Sequence, residues 1–331
     1  MGWKGMLRSI EAEGRRAERE SRRRQRELER QQKQFDKMQE LERAKYEVES
    51  YTNHVDVLIS THKECSETWD WQKVLSSPPP SKPIKTEVHE KAAKAKLNSY
   101  KPNFADKLFG RAESKREQLQ LSVEKAKSED GKIFQDACAE YSQSYEEWQM
   151  LCGLAKGILA KDTGVFLEAI SKINPFEEIT SLGSSIECRI INTSVVVATL
   201  KVNSAGVVPT EVKTLLKTGK VSVKKMPTST FNELYQDYVC GCVLRVAREL
   251  FALLPFEMVL ITAIGELLDS QTGYLKQCPI LSITIPRQTL SKLNFETLDP
   301  SESMKNFIHN MDFHKSKGFM AVSVVDLPLP N

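Results

Sequence analysis

The triplet Glu211-Val212-Lys213 carries the most specific catalytic pattern in the chain. On a strand, residues two apart project from one face, so a carboxylate and an ammonium stand side by side. With a second carboxylate, such a pair would hold Mg²⁺, and the lysine would steady charge near an attacking water, which is the chemistry of metal-assisted hydrolysis. That second group must come from a neighbouring strand. Between Thr180 and Glu211 there is no Asp, and Glu187 is the one carboxylate placed to serve. An Mg²⁺-dependent hydrolase using Glu187, Glu211 and Lys213 is therefore one reading, and the only one that brings in a cofactor. Against it, Glu-x-Lys arises by chance in a chain that is 27% charged.

Other chemistry-bearing groups fall short of a site. His62 and Cys65 share a helical face, with His54 upstream, but no paired cysteines or histidines complete four metal ligands. Cys240 and Cys242 point to opposite sides of a helix, so they share neither a metal nor a disulfide. His309 and His314 flank Asp312 without a nucleophile, and no glycine-rich phosphate loop occurs. No metal site and no resident cofactor are expected. Arg245 and Glu249 lie one turn apart on the face of a strong apolar pattern, and the spacing predicts a structural ion pair that fixes a helix.

The largest charge feature lies at the beginning. Nine arginines crowd residues 8–30, where Ile10 and Leu28 are the only large apolar side chains. Glu precedes a basic residue by four at Glu11/Arg15, Glu18/Arg22, Glu20/Arg24 and Glu29/Lys33, the order that supports a solvated helix. Residues 1–46 hold fourteen Lys/Arg against nine Asp/Glu, so the overall +3 conceals a basic arm of +5 on a body of −2. Such an arm attracts anions, and nucleic-acid phosphate is the commonest. Arg15, Arg16, Arg19, Arg22, Arg23, Arg24, Arg26 and Arg30 are the expected contacts, positioning a backbone without reading its bases.

These groups need elements to carry them. From Phe35 a seam appears: Leu41, Val48 and Val55 interleave with Ala44, Tyr51 and Leu58 in about three heptads. One helix from about residue 6 to about 70 follows, and residues 1–75 form a long basic coiled-coil segment. The run Ser76-Ser77-Pro78-Pro79-Pro80-Ser81-Lys82-Pro83 stops it and opens a linker, 76–103, with a short helix at about 86–99. Residues 104–179 hold a second long helix from about Ala112 to Leu159, with Gly131 as a kink or break, and a short helix from Gly164 to Lys172. The two long helices are expected to fold into an antiparallel hairpin.

Past residue 180 the apolar period shortens from 3.6 to 2, and 180–331 reads as a mixed α+β domain. Strands are expected at Ile186–Ile190, Val195–Val202, Val221–Val223, Val259–Ile264, Ile280–Ile285 and Met320–Val325. Helices are expected at Phe231–Leu253 and Ser301–Asn310. Ser270-Gln271-Thr272-Gly273 is a turn. The fold class is thus α+β, a long antiparallel helical hairpin followed by a mixed domain.

Within that domain Tyr238-Val239-Cys240-Gly241-Cys242-Val243-Leu244-Arg245-Val246-Ala247-Arg248-Glu249-Leu250-Phe251 occurs, then Thr272-Gly273, Cys278-Pro279-Ile280-Leu281-Ser282, Arg287 and Leu298-Asp299-Pro300. This order, over about residues 185–331, resembles the coiled-coil plus α+β region that precedes the nuclease domain in bacterial Mrr-type restriction proteins. Glu211-Val212-Lys213 matches half of the restriction-endonuclease core, but the nuclease domain itself would begin past Asn331. The resemblance implies the non-catalytic part of a DNA-directed, anti-phage defence protein and transfers no active-site residue.

Seven scattered cysteines and the absence of a long apolar run point to the cytoplasm. The expectation is a non-enzymatic nucleic-acid-binding or assembly protein, with DNA preferred over RNA. It would self-associate through the coiled coil and could serve a separate enzyme subunit; a membrane is not expected. The nuclease and a purely structural oligomeric scaffold are the alternatives.

Overall fold

The computed structural model describes residues 3–102, 104, 109–181, 183–203 and 205–326, apart from the side chains of 3–31, 178, 181 and 205. The chain divides into two units. One joins Met1–Thr68 to Asn174–Asn331, and the other is the intervening Trp69–Ile173.

In the first unit, helix α1 spans Trp3–Ser60, roughly 87 Å for its 58 residues. It ends ten residues before the sequence pattern suggested. Both His62 and Cys65 therefore lie beyond the helix.

Helix α6 (Glu177–Ser181) leads into a six-stranded sheet. Its strands are β1 (Ser185–Ile190), β2 (Val195–Lys201), β5 (Met258–Leu268), β6 (Leu275–Pro286), β7 (Ile308–His314) and β8 (Gly318–Met320), in that order across the sheet. Among the described residues only β2 and β5 pair in parallel. The crossover between them contains a separate hairpin, β3 (Glu211–Leu215) with β4 (Val221–Lys225), and helix α7 (Thr228–Leu253). The apolar pattern did not mark β3, whose strand the Glu-x-Lys reading presupposed.

Helix α7 is the centre of this unit. Its sequence suggests one apolar face, yet every residue from Tyr238 to Ala247 is buried. Helix α7 packs on β5 and β8, on α1, and on the short helix α9 (Pro300–Ser303). A helix enclosed in this way carries even Arg245 and Glu249 inside.

Strands β5 and β6 form the long central ladder, with a register shift after Ala263 that lets Pro279 sit in a strand without breaking it. Their turn closes as expected: Asp269 Oδ1 accepts from the Gln271 amide at 2.8 Å, and Gly273 takes φ +72°.

Two expectations need correction here. Residues 301–310 do not form one helix. Asp299 caps α9 at the Glu302 amide (2.9 Å), and the Asn306 side-chain amide donates to the Ser303 carbonyl (2.9 Å). Pairing with β6 then draws Ile308–His314 into a strand. The last strand stops at Met320, and residues 321–326 cross the sheet edge instead. There the Val322 amide donates to the Pro279 carbonyl and the Val325 amide to the Ser282 hydroxyl.

The second unit contains α2 (Trp71–Leu75), α3 (Val88–Ser99), α4 (Ala112–Leu159) and α5 (Thr163–Ile173). Helix α4 runs through Gly131 without a break. Its stripe is covered by α2, α3 and α5. The Asp130 carboxylate on α4 receives the His89 and Glu90 amides at 3.2 and 2.8 Å and so caps the first turn of α3. The Trp148 indole donates to the Ser77 carbonyl, and Gly157 gives Val165 of α5 room to approach.

Candidate functional site

The two parts of α1 have different surroundings. From Gln32 to Glu40 every residue is exposed, including Phe35 and Met38. From Leu41 onward the heptad seam is covered, Ala44 and Leu58 being buried and Leu41, Val48, Tyr51 and Val55 half-buried. The cover is α7 with the β3–β4 hairpin. Leu41 lies against Gly219, where a Cβ would meet its Cδ1 at 2.9 Å and φ is +82°. Lys213 Nζ donates to Glu47 Oε1 at 2.8 Å, and His54 Nε2 lies 2.8 Å from the Val207 carbonyl oxygen. The seam expected to drive self-association is therefore occupied by this chain's own α+β body.

Arg15, Arg16, Arg19, Arg22, Arg23, Arg24, Arg26 and Arg30 belong to the backbone of α1, but their side chains lie outside the described residues. What is described is the base that holds them: a helix without interruption from Trp3, gripped only from Leu41 among the described side chains.

The three groups of the hydrolase reading lie on strands of two different sheets. Glu187 is on β1 of the six-stranded sheet and accepts from Lys201 Nζ at 2.9 Å. Glu211 and Lys213 are on β3, whose one partner strand, β4, is Val221–Lys225 and carries no carboxylate. Lys213 spends its ammonium on Glu47, which draws the Glu47 carboxyl below its usual range. Lys213 of the Glu-x-Lys pair thus anchors α1. Among the described residues no group of three or more His, Cys, Asp or Glu is arranged to hold a metal ion.

The pair on α7 sits deeper. Arg245 Nε donates to Glu249 Oε1 at 2.7 Å, and the Ser66 amide donates to the same oxygen at 3.1 Å. Glu64 Oε2 stands 3.8 Å from Arg245 Nη1, while Glu249 Oε2 is buried without a hydrogen-bond partner. The ion pair therefore ties α7 to the segment leaving α1. Sequence spacing showed its two members but not Ser66 or Glu64, which are distant in the chain.

Arg248, one turn on, was not singled out by any spacing. Its Nη1 donates to the His62 carbonyl and, at 2.7 Å, to that of Lys63, with Glu64 O at 3.4 Å. Helix α1 has no basic residue in its last turn, and this guanidinium supplies the missing positive charge there. Partners made of backbone carbonyls leave no signature in side-chain identity. His62 is buried against α7 with both ring nitrogens unbonded, and burial lowers its pKa. Burial raises the Cys65 thiol, with Glu249 adding to it, and pushes Cys242 up to about 12.

No family model, curated protein or solved structure matches the chain.

Proposed function

We propose that this protein is a non-enzymatic nucleic-acid-binding component whose α1 grips the phosphate backbone of a duplex, DNA in preference to RNA. One observation carries the reading. Helix α1 is continuous from Trp3, but its described side chains meet the body only from Leu41, so the arginine-rich beginning has a rigid mount and no apolar stripe of its own. The order of residues in 185–331 that resembles the region before the nuclease in Mrr-type proteins supports a DNA-directed, anti-phage role in which a separate enzyme subunit supplies the chemistry. Seven unpaired thiols suit the reducing cytoplasm, and no helix among the described residues is long and apolar enough to cross a membrane.

Self-association and an antiparallel pairing of α1 with α4 belong to the same proposal. Both would have to use residues outside the docked stripes, such as Phe35 and Met38.

The test is charge reversal at Arg22, Arg23 and Arg24 to Glu, read by duplex binding over a range of salt. Affinity should fall, and the slope of log K against log salt should flatten by up to roughly 3. Equal affinity with an unchanged slope would remove the nucleic-acid reading and leave a scaffold.

A further inference from the structure

A cavity of about 280 Å³ opens between segment 65–68, the last turns of α7 and the loop after α8 (Arg287–Leu290). The charged residues in its wall are Arg248 and Arg287, with the hydroxyls of Thr68 and Ser291 and the rings of Phe251 and Phe295 beside them. No carboxylate lines it.

Both guanidiniums are fixed by groups that leave their charge uncompensated. Arg287 donates through Nε to the Phe256 carbonyl at 2.6 Å and through Nη2 to the Leu254 carbonyl at 2.7 Å, and its Cζ lies 4.7 Å from the centre of the Phe251 ring. Arg248 uses Nη1 for the carbonyls that follow α1 and stacks at 4.1 Å over Phe295. Burial lowers both pKa values, with Arg245 adding at Arg248; Cys65, Glu249 and Glu296 act on Arg248 and Glu257 on Arg287 in the opposite sense without outweighing it. Two cations held partly out of water without a carboxylate partner cost free energy that an anion would offset.

The remaining donors have a shape. No described hydrogen bond uses the Nε/Nη2 edge of Arg248, and that edge is the parallel fork that fits two oxygens of an oxyanion. Arg287 retains Nη1. A carboxylate would fill the fork and leave the second guanidinium unmatched. A phosphate monoester offers three terminal oxygens and close to two charges, enough for both cations and a hydroxyl.

We propose that this cavity is a phosphomonoester site, with Arg248 as the two-pronged donor, Arg287 as the second cation and the remaining volume taken by the ester's organic part. The site does not rest on the arginine arm of α1. Its ligand is either a small phosphate ester or the 5′-phosphorylated end of a nucleic-acid strand.

A ³¹P NMR titration of the full chain with inorganic phosphate tests it. Saturable binding is expected. Arg248→Lys, which keeps the charge and loses the fork, should weaken it at least about tenfold. Ser291→Asp, at an exposed position whose change leaves the core untouched, should abolish it. The Arg22, Arg23 and Arg24 to Glu variant should bind phosphate as the parent does, so failure of the arm and failure of the cavity are told apart. Displacement of phosphate by a 5′-phosphorylated oligonucleotide, and not by its 5′-hydroxyl twin, supports a strand end. Displacement by ribose 5-phosphate alone supports a small ester. Absence of saturable binding, binding that survives in both variants, or equal displacement by the two oligonucleotides overturns the proposal.

Discussion

Removing either member of the Arg245–Glu249 pair should cost far more than removing both. Glu249→Met takes from the buried Arg245 guanidinium its carboxylate partner at 2.7 Å, and it strips the Ser66 amide of its acceptor. Arg245→Met leaves a carboxylate whose side chain is fully buried and whose second oxygen already lacks a partner. Each single change should cost about 3–5 kcal/mol, the usual penalty of a stranded buried charge. The double variant removes both charges and replaces them with flexible apolar chains of similar reach. It retains the orphaned Ser66 amide, worth about 1 kcal/mol, so its total should be near that value. The cycle then gives a coupling of several kcal/mol. Because the chain has two units, one unfolding curve does not isolate this term, and native-state hydrogen exchange of α7 amides is the suitable measurement. At tenfold per 1.4 kcal/mol, the single variants should speed the slowest α7 amides by about 100-fold or more. Single changes costing under about 1 kcal/mol each, adding simply in the double variant, would refute the claim that this pair is desolvated and coupled.

Two further outcomes concern the second unit. In Gly157→Ala the new methyl would lie 2.5 Å from Val165 Cγ2 and 2.8 Å from its Cβ, so the α4–α5 contact must shift and the melting temperature should fall, and trimming Val165 to Ala should not restore it because the Cβ remains. The cap on α3 should give a stability window in pH. Amide donation from Glu90, with His89 adding, lowers the Asp130 pKa, so its contribution is present above the ordinary carboxyl range and fades as pH drops through the lowered value. The Asp130 hydrogen bond raises the His89 pKa, so that contribution is present below the ordinary histidine value and is lost as pH climbs through the raised one. Protection of the amides at the start of α3, taken relative to intrinsic exchange at each pH, should be greatest between these limits, and Asp130→Ala should abolish the dependence; a flat protection profile in the parent would contradict the cap.

Much of the architecture was legible because it is local. The 3.6-residue stripe located α4 and α7, the alternation located β1, β2, β5 and β6, and Ser270–Gly273 announced its own turn. What escaped depended on distant partners. Ile308–His314 becomes a strand only because β6 offers it an edge, and the heptads of α1 read as an intermolecular seam because the sequence does not show that α7 and the β3–β4 hairpin will cover them. The candidate sites follow the same division. Arg245 and Glu249 are four residues apart and were readable, whereas Arg248 and Arg287 are held by main-chain oxygens remote in sequence. For Glu211-Val212-Lys213, motif spacing fixes which groups share a strand face but not what faces that strand, here Glu47 of α1 at Lys213.

The first unit is interrupted: Met1–Thr68 is synthesised first, and its fold-mates Asn174–Asn331 come only after the whole of Trp69–Ile173. At ribosomal speeds of about 5–20 residues per second, α1 waits on the order of 10–40 s for α7 to emerge and cover it. During that interval its seam is available to chaperones or to the same seam on a neighbouring nascent chain. The Glu-before-Arg spacing ahead of that seam is of the kind that supports a helix in water without a core, so residues 8–30 need no such cover during the wait.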